Sequence, residues 1–140
     1  NLMAQSAVNS PNIKLPDTSG IERDLWSLHG KFVLLHFWSA KDRTSRIQNE
    51  VLVELYAKFR HKGFEIYMVS VDDDMAAWKN AIAEDQLTWI NVGDMKGSIS
   101  ALNNYNIRSV PANYLLDKEG KIIGKNLKGP ELNAALSKVL

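Results

Sequence analysis

Phe32-Val-Leu-Leu-His-Phe-Trp38 is the stretch whose reading decides the architecture. Every residue but His36 is apolar and the run is short, so it reads as a central strand buried on both faces. It leads through Ser39-Ala-Lys-Asp-Arg-Thr-Ser45 into apolar residues at four-residue steps: Ile47, Val51, Leu55 and Phe59, with Leu52 and Tyr56 widening the stripe. That spacing predicts an amphipathic helix. Gly63, after the basic stretch Lys58–Lys62, is its expected stop. Phe64-Glu-Ile-Tyr-Met-Val-Ser-Val71 then repeats the buried-strand pattern. Strand, helix and strand in this order predict a parallel pair with a crossover helix.

Downstream, Asp72-Asp-Asp74 is placed to cap a helix carrying Ala77, Trp78, Ala81 and Ile82. Thr88-Trp-Ile-Asn-Val92 reads as a short strand and Ser98 to Tyr105 as a short helix. In Ser109-Val-Pro-Ala-Asn-Tyr-Leu-Leu-Asp117 a proline opens another apolar strand. Ala112 to Leu116 and Lys121 to Lys125 flank Asp117-Lys-Glu-Gly120, a hairpin signature. Pro130 opens a last helix with Leu132, Leu136 and Leu140 on one face. Upstream, Ile13 to Gly20 is an extended piece entering a turn, Ile21 to Leu25 alternates like a half-buried strand, and Trp26 to Gly30 suggests one helical turn. Residues 1–12 are polar and small and are expected to be a flexible lead-in; residues 13–140 form one domain. The predicted class is α/β: a central mixed sheet flanked by helices on both faces, with an N-terminal β extension.

The chain has 140 residues, 45% hydrophobic and 24% charged, with a net charge of +1, which is the balance of an ordinary soluble domain able to bury a core. Interspersed charges of both signs argue against a nucleic-acid surface, and the apolar runs are too short to cross a bilayer. The chain contains no cysteine, which excludes disulfides, thiolate metal sites and cysteine nucleophiles together. It starts at Asn1 without an initiator methionine and without the basic start and apolar run of a signal peptide, so it reads as a processed or truncated piece.

Several segments, in the right order, resemble the thioredoxin-fold redoxins of the TlpA/ResA type. They are Leu15-Pro-Asp17 with Gly20, Gly30-Lys31, Phe37-Trp38, Val110-Pro111 and Leu116-Asp-Lys-Glu-Gly-Lys121. The resemblance spans about Ile13 to Leu140 and implies the thioredoxin fold. In that family the strand ending Phe-Trp leads to Cys-x-x-Cys and the activity is thiol–disulfide exchange. Here the matching positions are Asp42, Arg43, Thr44 and Ser45. Exchange requires a thiolate attacking a sulfur, which neither a carboxylate nor an alcohol can do. The resemblance further implies a cis peptide before Pro111, placed beside the Asp42–Ser45 turn, with Trp38 just beneath it. It also implies an acidic residue, aligned with Asp73, that tunes the family's cysteines, and a location on the periplasmic side of the bacterial cell envelope, with attachment to a membrane through a missing N-terminal region.

Two readings of the degenerate turn stand. In one, Asp42 or Thr44 caps the helix and Ser45 is a bystander. In the other, the helix terminus, with Lys41 and Arg43 adding charge, remains a contact surface for an anion or peptide. Trp38, Lys41, Val110 and Pro111 are the candidate binding residues, and the expected partner is a protein or peptide in the former active-site groove. Asp72-Asp73-Asp74 lacks the glycine and terminal glutamate of a calcium loop and reads as a solvated cap. His29, His36 and His61 lack ligand spacing, and His36 reads as a hydrogen-bonded core residue. The four tryptophans read as core or near-core. No metal and no cofactor are expected. The resulting expectation is a redox-inactive binding or scaffolding module. The alternatives are participation in redox through a partner that supplies thiols, or a non-redox reaction using Asp42 and Ser45.

Overall fold

The computed structural model describes residues 10–140. A small antiparallel ribbon comes first, β1 (Lys14–Pro16) with β2 (Glu22–Asp24), followed by a short 3-10 turn at Leu25–Leu28. The central sheet is built from β3 (Phe32–Trp38), β4 (Phe64–Ser70), β5 (Ile90–Val92), β6 (Ala112–Leu116) and β7 (Ile122–Lys125), in the order β5-β4-β3-β6-β7. The helices are α1 (Arg43–Phe59), α2 (Met75–Asp85), α3 (Ile99–Asn104) and α4 (Gly129–Val139). β3, β4 and β5 run parallel, whereas β6 and β7 are antiparallel additions. This is the mixed α/β sheet expected from the sequence.

β3 occupies the middle of the sheet and is buried at every position. Side chains alternate across a strand. Accordingly Phe32, Leu34 and Trp38 enter a core with Leu52, Leu55 and Phe59 of α1, Trp78 and Ala81 of α2, and Leu132 and Leu136 of α4. Val33, Leu35 and Phe37 enter a second core with Tyr67, Val69, Tyr105 and Tyr114, closed by Ile13, Leu25 and Ala101. The N-terminal ribbon and α3 thus cover one face, and α1, α2 and α4 cover the other.

Two expectations need correction. Ser10 to Asn12 are not a loose lead-in: the Ser10 amide donates to the Gly120 carbonyl at 2.8 Å, the Trp26 amide donates to Asn12 Oδ1 at 2.9 Å, and the Tyr105 hydroxyl donates to the Pro11 carbonyl. The remainder of the predicted lead-in, residues 1–9, lies outside the described residues. Trp26 is not core; the residue is 44% exposed, while its indole N–H holds the Ser10 carbonyl at 2.9 Å. A tryptophan can serve as a surface clasp because its donor sits at the edge of a large apolar ring. Among the described residues no helix is long and apolar enough to cross a membrane.

Candidate functional site

The chain leaves β3 at Trp38 and turns into α1 within a few residues. Asp42 is the N-cap, in extended conformation (φ −96°, ψ 122°), and its carboxylate accepts the Ser45 amide at 2.8 Å. This satisfies one of the amides that every helix start leaves without a partner. Ser45 is wholly buried, and its hydroxyl accepts the Ser39 amide at 3.2 Å. Of the four positions, Asp42 sits half-buried at the outer corner, Arg43 and Thr44 are exposed, and Ser45 faces inward. With Asp42 engaged on an amide and the Ser45 hydroxyl sealed from solvent, the pair lacks the exposed base and nucleophile that a hydrolytic reaction requires.

The acidic triplet divides its roles. Asp74 caps α2 by accepting the Ala77 amide at 3.1 Å and pairs with Lys41 at 3.4 Å; those two contacts hold its carboxyl below the usual range. Asp73 is exposed. Asp72, read from the sequence as part of a solvated cap, is instead 5% exposed and forms a latch. Its carboxylate accepts the Ala40 amide at 2.9 Å, the Ser39 hydroxyl at 2.8 Å and the Ser70 hydroxyl. A buried carboxylate needs such partners, and here they tie the end of β4 to the turn after β3. The sequence carries one signal for it, the Ser70-Val-Asp72 step at the C-terminal end of an apolar parallel strand, where sites in α/β sheets gather.

Arg46 anchors the same turn from the opposite side. It pairs with Asp85 at 2.6 Å and Glu84 at 2.7 Å, and donates to the Ala40 carbonyl at 3.1 Å. Asn49 adds a hydrogen bond to Asp85 at 2.9 Å. Partial burial pushes the Asp85 carboxyl up, but the Arg46 and Asn49 contacts outweigh it and hold the group below the ordinary range. This network was not read from the sequence, because its partners lie about forty residues apart and follow no local pattern.

Beside the turn lies a cavity of about 380 Å³. Thr44 and Gln48 of α1 form one wall, the loop from Ser109 to Ala112 another, and Asn126 to Lys128 a third. The Val110–Pro111 peptide bond is cis. Thr44, Val110 and Pro111 are therefore brought together, whereas Lys41 is drawn to Asp74 and does not line the cavity. Trp38 has no exposed surface and supports the turn from below.

His36 also borders this cavity. The hydrogen-bonded core role expected for it is half right. It is fully buried, yet neither ring nitrogen has a partner among the described residues. Its parity in β3 turns it toward α1, beside Asn113 of β6. The Asn113 amide is already engaged with Leu127, accepting its N–H at 3.1 Å and donating to its carbonyl at 3.0 Å. Burial lowers the His36 pKa to about 4, so the ring is neutral at neutral pH.

Residues 8–125 match the model of the AhpC/TSA family. The chain belongs to that family. It is similar to the thiol-disulfide oxidoreductase ResA of Bacillus thuringiensis subsp. konkukian, 30% identical over 131 residues that cover 94% of this chain and 74% of the relative. The Bacillus subtilis ResA is 28% identical over 115 residues, covering 82% and 63%. Among solved structures, the thioredoxin domain of a thiol-disulfide oxidoreductase from Bacteroides vulgatus superposes with a TM-score of 0.89 at 36% identity, covering 95% of this chain and 96% of that one. A thiol-disulfide oxidoreductase from Bacteroides fragilis gives 0.88 at 29% identity, covering 95% and 100%. The fold is thioredoxin-like. This AhpC/TSA-family chain thus shares the frame of thiol-disulfide oxidoreductases and has no cysteine.

Proposed function

We propose that this chain is a redox-inactive binding or scaffolding module of the bacterial cell envelope, engaging a protein or peptide partner along the former active-site groove. One observation carries the reading: the four positions of the redox motif are occupied by a satisfied helix cap, with Asp42 on the Ser45 amide, and not by thiols. The turn is nevertheless held by the Asp72 latch and the Arg46 network, so its shape is maintained without the chemistry. A rigid turn beside an open cavity is suited to recognition, since little ordering is needed on binding. The envelope location rests on the resemblance to the TlpA/ResA group.

The test has two arms. The purified chain is expected to show no dithiol-dependent reduction of insulin above buffer, because no mixed disulfide can form. In parallel, a library of extended peptides is titrated while amide resonances are followed by NMR. Shifts are expected at Thr44, Gln48, Val110 and Ala112. Turnover in the first arm, or peptide-induced shifts confined to other faces, overturns the proposal.

A further inference from the structure

We propose that the cavity at the head of α1 is a carboxylate-binding pocket, with His36 at its base and Lys128 at its rim, and that it receives an acidic side chain of the bound partner. The second half rests on the binding-module reading above; the first stands on the cavity itself.

His36 sits fully buried at the base of this cavity with both ring nitrogens unpartnered among the described residues. A fully buried side chain carrying two unpartnered polar nitrogens is rare, because each forgone hydrogen bond carries the desolvation penalty of its group. Such a group beside a cavity is a place where a ligand gains more than it loses. A neutral imidazole offers one N–H donor and one acceptor. The surroundings select the sign of the ligand. No Asp or Glu lines the cavity, while Lys128 does. A second depression adjoins it through the shared residues Ser109, Ala112 and Asn126 and brings Arg108, again with no acidic residue; Lys125 also lines it, but its ammonium is turned over the Tyr114 ring, 5.6 Å from the centroid. Two carboxylates near its margins accept backbone amides, Asp42 that of Ser45 and Glu131 that of Lys128. Cationic side chains and an N–H donor together describe an acceptor-rich anion. The cavity volume suits one side chain or a small acid.

The ring of His36 is closed to a water-sized probe, so the ligand must turn aside part of the wall. Thr44, Gln48 and Ser109 hold no side-chain hydrogen bond among the described residues and are the groups able to rotate, whereas the Asn113 side chain is held by the Leu127 backbone and Asn126 Oδ1 accepts the Asn113 amide.

The experiment titrates the intact chain with three probes: an acetylated, amidated pentapeptide Ala-Ala-Glu-Ala-Ala, its Gln counterpart, and free glutarate. Affinity is read by calorimetry and the His36 ring nitrogens by 15N NMR. The Glu peptide is expected to bind about tenfold more tightly than the Gln peptide, as one charge-assisted hydrogen bond provides, and to shift the His36 ring resonances. Lys128→Glu, an exposed change that leaves the core intact, is expected to weaken the Glu peptide about tenfold and leave the Gln peptide unchanged. His36→Phe is expected to abolish the preference. Equal affinities for the Glu and Gln peptides, or silent His36 resonances, overturn the pocket. Glutarate binding as tightly as the Glu peptide keeps the pocket and overturns the partner side chain as its source. Peptides that bind along Val110–Pro111 without preferring glutamate keep the binding module and overturn the pocket.

Discussion

His36 is the one polar residue in β3, and its position gives it a measurable effect on stability. In the unfolded chain a histidine takes up its proton near pH 6.5, whereas in the fold this one does so near pH 4. Below pH 6.5 the unfolded state therefore binds more protons, so stability falls as pH drops and levels off below about 4. The loss reaches about 2 kcal/mol by pH 5 and about 3 kcal/mol when complete. Asp17, Asp74 and Asp85, held below the carboxylate range, release their contributions only under pH 3.8, outside this window. Urea midpoints at pH 7 and pH 5 should differ for the native chain, and His36→Asn should remove most of the difference. Asp72 makes a second case. Asp72→Ala leaves the Ala40 amide and the Ser39 and Ser70 hydroxyls without their acceptor, at about 2–4 kcal/mol. Hydrogen exchange at the Ala40 amide should accelerate well beyond that of amides in β3. Unchanged protection there would show that the latch is not what holds the turn.

The long helix shows how far periodicity reaches. Its predicted stripe began at Ile47, which is 57% exposed; the buried face is Ser45, Asn49, Leu52, Leu55 and Phe59. The first turns of α1 pack on a polar junction with α2, where Asn49 meets Asp85, so apolar spacing is a poor guide there. Leu52 onward sits on the sheet, and in that stretch the stripe was read correctly. The cap geometry supports a test of the family backbone. In Asp42→Cys/Ser45→Cys the two side chains stand at N-cap and third helical position, and the present side chain at 42 already reaches the backbone of 45 at 2.8 Å. Disulfides form when Cα atoms lie within about 7 Å, and a thiol at a helix start has its pKa lowered. The double variant should lose two titratable thiols on mild oxidation and regain them on reduction. Its reduced form should be less stable by about 1 kcal/mol from loss of the cap. Two thiols that stay free under oxidant would mean the turn departs from redoxin geometry.

Across the whole molecule, the first described residues act as a strap over the second core. Ser10, Pro11 and Asn12 hold Gly120, Tyr105 and Trp26, which belong to segments far apart in the chain. The Tyr67 hydroxyl, rising from the sheet, donates to the Arg23 carbonyl at 2.9 Å and secures the ribbon behind it. Deleting residues 1–12 should therefore lower stability by about 2–4 kcal/mol, at about 1 kcal/mol for each hydrogen bond lost. Deleting residues 1–9 alone leaves those bonds in place and serves as the comparison. Matching urea midpoints for the two truncations would return Ser10 to Asn12 to the status of a loose lead-in.

The buried strands, their order and the amphipathic helices were legible in the sequence because burial on one or both faces imposes a period on nearby residues. Phe32 to Trp38, Phe64 to Ser70 and the Leu132–Leu136 pair carry that signature in the chain itself, and the missing thiols of the Asp42–Ser45 turn are visible without coordinates. The roles of single polar residues were not legible. Asp72, Asp73 and Asp74 are chemically identical, yet one is a buried latch, one is exposed and one caps α2. His36 has no ring partner among the described residues, and Asn113, its neighbour across the sheet, is engaged by Leu127 instead. Whether a polar group is satisfied depends on partners tens of residues away and on distances of a few tenths of an ångström, so folding in three dimensions settles it where local pattern cannot.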